Sequence, residues 1–260
     1  MLNTARLDGC LEAESRRAHS KNRLRVALAS TLEDVRAAQR LRHKVFVEEM
    51  GAQVAEAEHG IESDRFDHHC QHLLVRDERS DRVVGCYRIL TDTRAQRAGG
   101  FYSETEFDLA RIRALPGRIM EVGRTCVHPD YRTGAVINLL WSGLARFMVM
   151  HRFDHVIGCA SIPLHGGVEH IGALWHGLTT TQLSPPEWRV FPRTPLTSLP
   201  RPATGTTAEL PPLIQGYLRL GAQICGEPAW DPAFNVADLF LLLGIKRLGT
   251  RYAQHYIGRA

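Results

Sequence analysis

The sequence predicts an α/β protein built on a mixed sheet, and three stretches carry that expectation. Between residues 23 and 29, Leu24, Val26 and Leu28 alternate with Arg23, Arg25 and Ala27, the period-two signature of a half-buried strand. Ser30-Thr31-Leu32-Glu33 follows as a capping box that opens a helix. Further on, an apolar strand over 118–127, a helix over 134–151 and a strand over 156–161 form a crossover whose two strands should pair in parallel.

The remaining elements follow from the same patterns. The first helix is expected to run to Met50, with Leu32, Val35, Leu41 and Val45 on its apolar side. Residues 51–70 read as a loop rich in acids and histidines. Short strands at 72–75 and 83–90 flank a turn at 77–81 and make a hairpin, the antiparallel part of the sheet. The helix over 134–151 exposes only a thin polar stripe of Asn138, Ser142 and Arg146, so it should be largely buried. Residues 162–208 are rich in Pro and Thr with few helix signals and read as an insertion over the core. Leu213–Ala222 reads as a helix and Val236–Leu243 as the last strand. The expected organisation is a polar arm over 1–22 and one domain over 23–260 that carries the insertion.

Composition excludes several classes. With 44% hydrophobic and 23% charged residues the chain is an ordinary globular one, and no segment approaches the ~20 apolar residues that span a bilayer. Asp8, Glu12, Glu14, Arg16 and Arg17 stand where a secretory signal needs an apolar run, so a cytoplasmic location is expected. Six scattered cysteines without a CxxC pair read as reduced thiols. His68-His69-Cys70-Gln71-His72 matches no zinc spacing, so no metal is expected. Zinc-finger spacing, basic zippers and basic runs interleaved with aromatics are lacking, which argues against a nucleic-acid partner. Residues 1–46 carry ten Lys/Arg against five Asp/Glu, and the stretch from Lys246 on adds four basic residues and no acid. Basic ends suit acidic partners, including an acidic protein or peripheral contact at the inner membrane.

The chemistry concentrates in EVGRTCVHPDYRTGAVINLLW, residues 121–141. Between its strand and helix lie Arg132, Thr133, Gly134 and Ala135, where small residues let backbone N–H groups approach an anion and a helix N-terminus adds partial positive charge. A phosphate-bearing acyl donor, a diphosphate or a phosphopantetheine arm, suits that turn. Four further clusters stand in order along the chain: Arg42 and Phe46, Asp64 and Asp67, Gly85 and Arg88, and Glu121 and Arg124. Gly123 permits a bulge that would turn Glu121 and Arg124 to the same side. Gly99-Gly100 reads as a turn that presents Phe101 to an acyl or acceptor pocket.

This order resembles the acyl-homoserine lactone synthases and their relatives in the GNAT-like acyltransferase superfamily. Those synthases carry a tryptophan after the early Phe that helps hold S-adenosylmethionine, whereas VFVEEMGAQVAE here has none, which argues against that substrate. RLRHKVFVEEMGA, FDHHCQHLLV, GGFYSETEFDL, LPPLIQGYLRLGA and GEPAWDPAFNVADLFLLL, together with the segment from Glu121, are more similar to the ornithine N-acyltransferases. The resemblance implies a GNAT-like acyl-CoA N-acyltransferase fold. It also implies transfer of a 3-hydroxy fatty acyl group from acyl carrier protein to the α-amino group of ornithine, with no bound cofactor and the donor carried on phosphopantetheine.

The residues suit such a reaction. An α-ammonium must lose a proton before it attacks a thioester, and Glu121 is the best-placed base, with Asp64 and Asp67 as alternatives. Arg88 or Arg124 suits the acceptor carboxylate, and Asp64 or Asp67 its cationic end. Cys126 is an alternative acyl acceptor without an evident activating histidine. Rival readings are another amine acceptor such as glycine, a lactone-synthase-like enzyme, and a non-catalytic carrier-binding module.

Overall fold

A computed structural model of the chain describes residues 24–54, 60–196, 199–200 and 209–248. The predicted arm over 1–22 and parts of the predicted insertion lie outside the described residues.

Strand β1 (Leu24–Leu28) leads into helix α1 (Leu32–Arg42). The capping box is present but shifted by one residue: Thr31 is the N-cap, Asp34 N–H donates to its hydroxyl, and the Asp34 carboxylate accepts the Thr31 N–H. The helix does not run on as one α-helix to Met50. From His43 to Glu49 it widens into a π-helix that closes with Met50 N–H donating to Val45 O, five residues back. Strands β2 (Gln71–Asp77) and β3 (Arg82–Thr91) form the expected antiparallel hairpin, and helix α2 (Asp92–Ala98) follows. Strand β4 (Phe107–Asp108), helix α3 (Ala110–Arg113), strand β5 (Ile119–Val127), helix α4 (Ala135–Met150) and strand β6 (His155–Pro163) come next. Helix α5 (Gly167–Thr181), strand β7 (Phe191–Pro192), helix α6 (Pro212–Leu220) and strands β8 (Gln223–Ile224), β9 (Ala229–Asp231) and β10 (Val236–Gly244) complete the described chain.

Helix α5 corrects the sequence reading of residues 162–208. Gly166, Gly167, Gly172, Gly177 and the threonines at its end depress helix propensity. Packing overrides that penalty, because Ile171, Leu174 and Leu178 line one face and are buried against Ala160, Ile162, Ile214, Leu239 and Leu241.

The chain divides into two compact units. In the first, comprising described residues between 24 and 94 and between 122 and 152, β1, β2 and β3 pair in succession and β3 neighbours β5. Helix α1 covers this sheet with a core of Ala38, Leu41, Val45, Leu74, Val83, Cys86 and Cys126, against which Phe46 packs. In the second, comprising described residues in 95–121 and 153–248, Ile119–Glu121 run parallel to His155–Ile157, β6 and β10 pair antiparallel along their whole lengths, and β8 and β9 join β10. Parallel and antiparallel pairs together make the mixed sheet expected. No helix among the described residues is long and apolar enough to cross a membrane.

Glycines set how closely α4 lies on the first unit's strands. A Cβ at Gly85 of β3 would stand 2.3 Å from Val136 Cγ1, and one at Gly143 of α4 would stand 3.0 Å from Leu73 Cδ2. The β-branched Val136 at the start of α4 has little rotamer freedom to yield. Gly85→Ala should therefore overpack the contact and destabilise the protein by about 1–3 kcal/mol in urea denaturation. An unchanged midpoint would mean that α4 shifts without penalty.

Candidate active site

The first unit holds a buried network of three arginines and three carboxylates. Arg42, the last residue of α1, forks onto Asp67, with Nη1 to Oδ1 at 2.6 Å and Nη2 to Oδ2 at 2.8 Å. Its Nη2 also donates to Glu62 O at 2.8 Å and its Nε to the Glu62 carboxylate. Arg88 of β3 donates to Asp64 Oδ1 at 2.6 Å, and Arg124 of β5 donates to Glu62 Oε1 and Asp64 Oδ2, each at 3.1 Å. Charges of +3 and −3 balance within the set. Arg42, Glu62, Asp67 and Arg88 are all at least nine-tenths buried, whereas the Asp64 and Arg124 side chains keep 20% and 12% exposure. Burial acts to raise Asp67 and Asp64, but Arg42 and Arg88 beside the former and Arg88 and Arg124 beside the latter hold both below the usual carboxylate range.

Local geometry explains how these side chains converge. Asp64 and Asp67 bracket a tight turn: Asp67 accepts the Asp64 N–H at 2.9 Å, and Asp64 accepts the Phe66 N–H at 2.8 Å. On β5 the irregularity expected at Gly123 falls one residue later, where Arg124 takes a left-handed φ of +51°. That conformation costs a residue with a Cβ about 1–3 kcal/mol, and the bonds to Glu62 and Asp64 offset it. The sequence reading missed Glu62, though it stands two residues before Asp64.

In the second unit, Glu121 is 4% exposed and its carboxylate gathers three donors from one turn. Tyr102 N–H donates to Oε2 at 2.6 Å, Ser103 N–H to Oε1 at 2.7 Å, and the Ser103 hydroxyl to Oε1 at 2.5 Å. The Ser103 hydroxyl also lies 3.3 Å from Cys159 Sγ. Phe101, just before this turn, is buried at 6% with the Arg113 guanidinium 5.9 Å from its ring centroid.

A second acidic group in this unit escaped the sequence reading, because its members come from three distant segments. Carboxylate oxygens of Glu106, Asp231 and Asp238 all lie within 4.8 Å of one another. Burial, then the charges of Asp238 and Asp231, push Glu106 up to about 9, so it carries its proton at neutral pH. Ser161 donates to Asp238 at 2.6 Å, and the backbone of Ala233 donates to Asp231 at 2.8 Å.

At the turn before α4, the exposed Arg132 forks onto Glu49, at 2.6 and 2.7 Å, and its Nε reaches Val127 O at 3.2 Å. Thr133 and Ala135 are exposed. Gly134 caps α4 with a left-handed φ of +91°, and no side chain caps the helix. Gly134 has no side chain to offer the first N–H groups of this sixteen-residue helix, which leaves its N-terminus without a side-chain cap from that residue. Cys126 is buried, with its thiol pushed well up by burial and by Cys86 at 3.5 Å, so it is poorly suited to form the thiolate of an acyl-enzyme.

The segment that carries most of these residues matches a known class. A family model described as an acetyltransferase (GNAT) domain matches residues 41–142, the span from Arg42 through Asp64, Asp67, Arg88, Glu121 and Arg124 to α4. The fold is shared with solved acyl-transfer enzymes. One is a CoA-dependent acyl-homoserine lactone synthase solved with S-adenosylmethionine and isopentyl-CoA, 21% identical over 83% of this chain and 78% of that one, with a TM-score of 0.51. Another is an N-acyl amino acid synthase from uncultured soil microbes, 12% identical over 87% and 92%, with a TM-score of 0.53. The chain has the GNAT acyltransferase fold. Among proteins of established name, the L-ornithine N(alpha)-acyltransferase of Brucella abortus is 38% identical over 90% of this chain and 88% of its own length. That of Agrobacterium fabrum is 40% identical over 91% and 86%. The chain belongs to the L-ornithine N(alpha)-acyltransferase family, as its resemblances implied.

Two outcomes follow from the charged groups. Arg42→Ala leaves Glu62 and Asp67 buried without their shared cation and should cost about 3–5 kcal/mol in chemical denaturation; a cost below about 1 kcal/mol would deny the network its structural part. Glu106 binds its proton up to about 9 when folded but only to the ordinary 4.5 when unfolded, so the unfolded chain sheds it first as pH rises. Stability should fall through that window by up to about 1.4 kcal/mol per pH unit, and Glu106→Gln should flatten the fall. Equal slopes for wild type and variant in melts at pH ~6 and ~8.5 would show that Glu106 ionises as an ordinary carboxyl.

Proposed function

We propose that the protein transfers a 3-hydroxy fatty acyl group from acyl carrier protein to the α-amino group of L-ornithine, giving lyso-ornithine lipid. The observation that carries this reading is the identity of 37–40% over at least 90% of the chain with four L-ornithine N(alpha)-acyltransferases. Helix α4 supports the donor side. Its uncapped N-terminus, with Gly134 giving close backbone approach and Arg132 one turn before, suits the phosphodiester of a phosphopantetheine arm.

In the reaction the acceptor nitrogen forms a bond to the thioester carbonyl carbon, and the carbon–sulfur bond breaks. The amine proton passes to a base and the leaving thiolate takes a proton. Glu121 is the proposed base, held in one orientation by Tyr102 and Ser103 and acting on the amine directly or through water. For the acceptor, the partly exposed members of the buried network are the accessible ones: Arg124 for the carboxylate and Asp64 for the cationic end. Arg42, Asp67 and Arg88 are committed to one another's support, and Phe46 packs against the apolar core under α1. The high thiol of Cys126 favours direct transfer over an acyl-enzyme. Peripheral contact at the inner membrane would let the lipid product leave.

The test is mass spectrometry of a reaction with 3-hydroxyacyl carrier protein and an equimolar mixture of amino acids, with S-adenosylmethionine in a parallel tube. A 3-hydroxyacyl-ornithine mass is expected. An acylated glycine moves the acceptor, a lactone in the second tube points to the signalling enzymes, and carrier binding without product points to a non-catalytic module. Glu121→Gln should lower kcat by ~10²–10⁴ at matched folded fraction. Retained kcat with a lowered Tm would make Glu121 an anchor of the 102–105 turn alone.

A further inference from the structure

Arg132 is not waiting open for a donor. Its two Nη atoms meet the two carboxylate oxygens of Glu49 at 2.6 and 2.7 Å, the fork-to-fork geometry that a phosphate's paired oxygens would also satisfy. Its Nε bond to Val127 O holds the guanidinium beside the turn that opens α4. Glu49 is the last residue of the π-helical segment, so the extra residue in that wide turn sets where its side chain falls. Both partners are substantially exposed, at 43% and 38%, so solvent can replace either one without opening the core. The Arg132 hydrogen bond, and the nearby Lys44 charge, hold Glu49 below the ordinary carboxylate range, so it is ionised whenever the enzyme works.

We infer that Glu49 is an internal stand-in for the donor phosphate: it pairs with Arg132, must yield when the donor binds, and so sets donor affinity. This rests on the reading that the Arg132–Ala135 turn holds the donor phosphate. Exposed ion pairs are weak, so displacement costs the donor only a modest factor. Glu49→Gln, which cannot accept through both arms, should lower KM for 3-hydroxyacyl carrier protein by about two- to five-fold with kcat little changed.

The experiment measures KM of the wild type, Glu49→Gln and Arg132→Ala with two donors, 3-hydroxyacyl carrier protein and phosphate-free 3-hydroxyacyl pantetheine. The expected pattern is a lower KM for Glu49→Gln and a higher one for Arg132→Ala with the carrier, and no change for either with pantetheine. An unchanged carrier KM for Arg132→Ala overturns the donor reading and the inference with it. A raised KM for Arg132→Ala together with a raised or unchanged KM for Glu49→Gln overturns the inference alone, since Glu49 would then orient Arg132 or do nothing. A drop for Glu49→Gln with pantetheine as well would also overturn it, because no phosphate would be competing.

Discussion

The first unit is organised around the guanidinium of Arg42. An arginine at 1% exposure survives only if its charge and its N–H donors are met, because removing one ion from water costs several kcal/mol. Asp67 and Glu62 meet both demands at once, with carboxylates for the charge and the Glu62 carbonyl for a further donor. The consequence is architectural. The segment from Glu62 to Phe66 has no helix or strand, and Asp67 only opens a single 3-10 turn (Asp67–His69), yet the stretch is tied to the end of α1 by Arg42, to β3 by Arg88 and to β5 by Arg124. Four stretches separated by up to 82 positions, from Arg42 to Arg124, are thereby locked by one neutral set of charges.

Strand β5 shows what that lock demands of the backbone. Glu121 and Arg124 stand three residues apart, and in a regular strand their side chains would face opposite ways. Each has its own partners: Glu121 accepts from the Tyr102–Ser103 turn, and Arg124 donates to Glu62 and Asp64. Glycine at 123 loosens the strand, but the left-handed residue is Arg124 itself. Paying that backbone strain at the arginine aims the guanidinium at two carboxylates without disturbing Glu121, whose own segment still pairs with β6 through Ile157.

Local periodicity made much of this legible in the sequence, and long-range contact hid the rest. β1, the hairpin, α4 and β10 follow from alternation, turn residues and apolar faces that each lie within one segment. The π-helix does not, because nothing in HKVFVEE distinguishes five-residue from four-residue closure before Val45 and Phe46 pack. Helix α5 was hidden by its glycines and threonines, whose penalty is outweighed only by a buried face assembled from β6, β10 and α6. The same division holds at the site. Arg42, Asp64, Asp67, Arg88 and Arg124 stood out as a recurring order, whereas Glu62 bears no motif, and Glu106, Asp231 and Asp238 are neighbours only after folding.

The two acidic groups differ in a way that bears on acceptor chemistry. Around Arg42 every negative charge has a guanidinium within 3.1 Å, so the interior of that set exerts little net field, and only its exposed edge at Asp64 and Arg124 can address a zwitterion. The Glu106, Asp231 and Asp238 group reaches its truce differently, by keeping a proton on Glu106. Carboxylates this close cannot all ionise in a site of low dielectric, and the cheapest relief in the absence of a cation is protonation. A cation brought beside them would reverse that preference, drawing the proton off and leaving the full negative charge to face it. The protonation state of Glu106 therefore follows the charge its two acidic neighbours carry, whereas each carboxylate around Arg42 is already paired with a guanidinium.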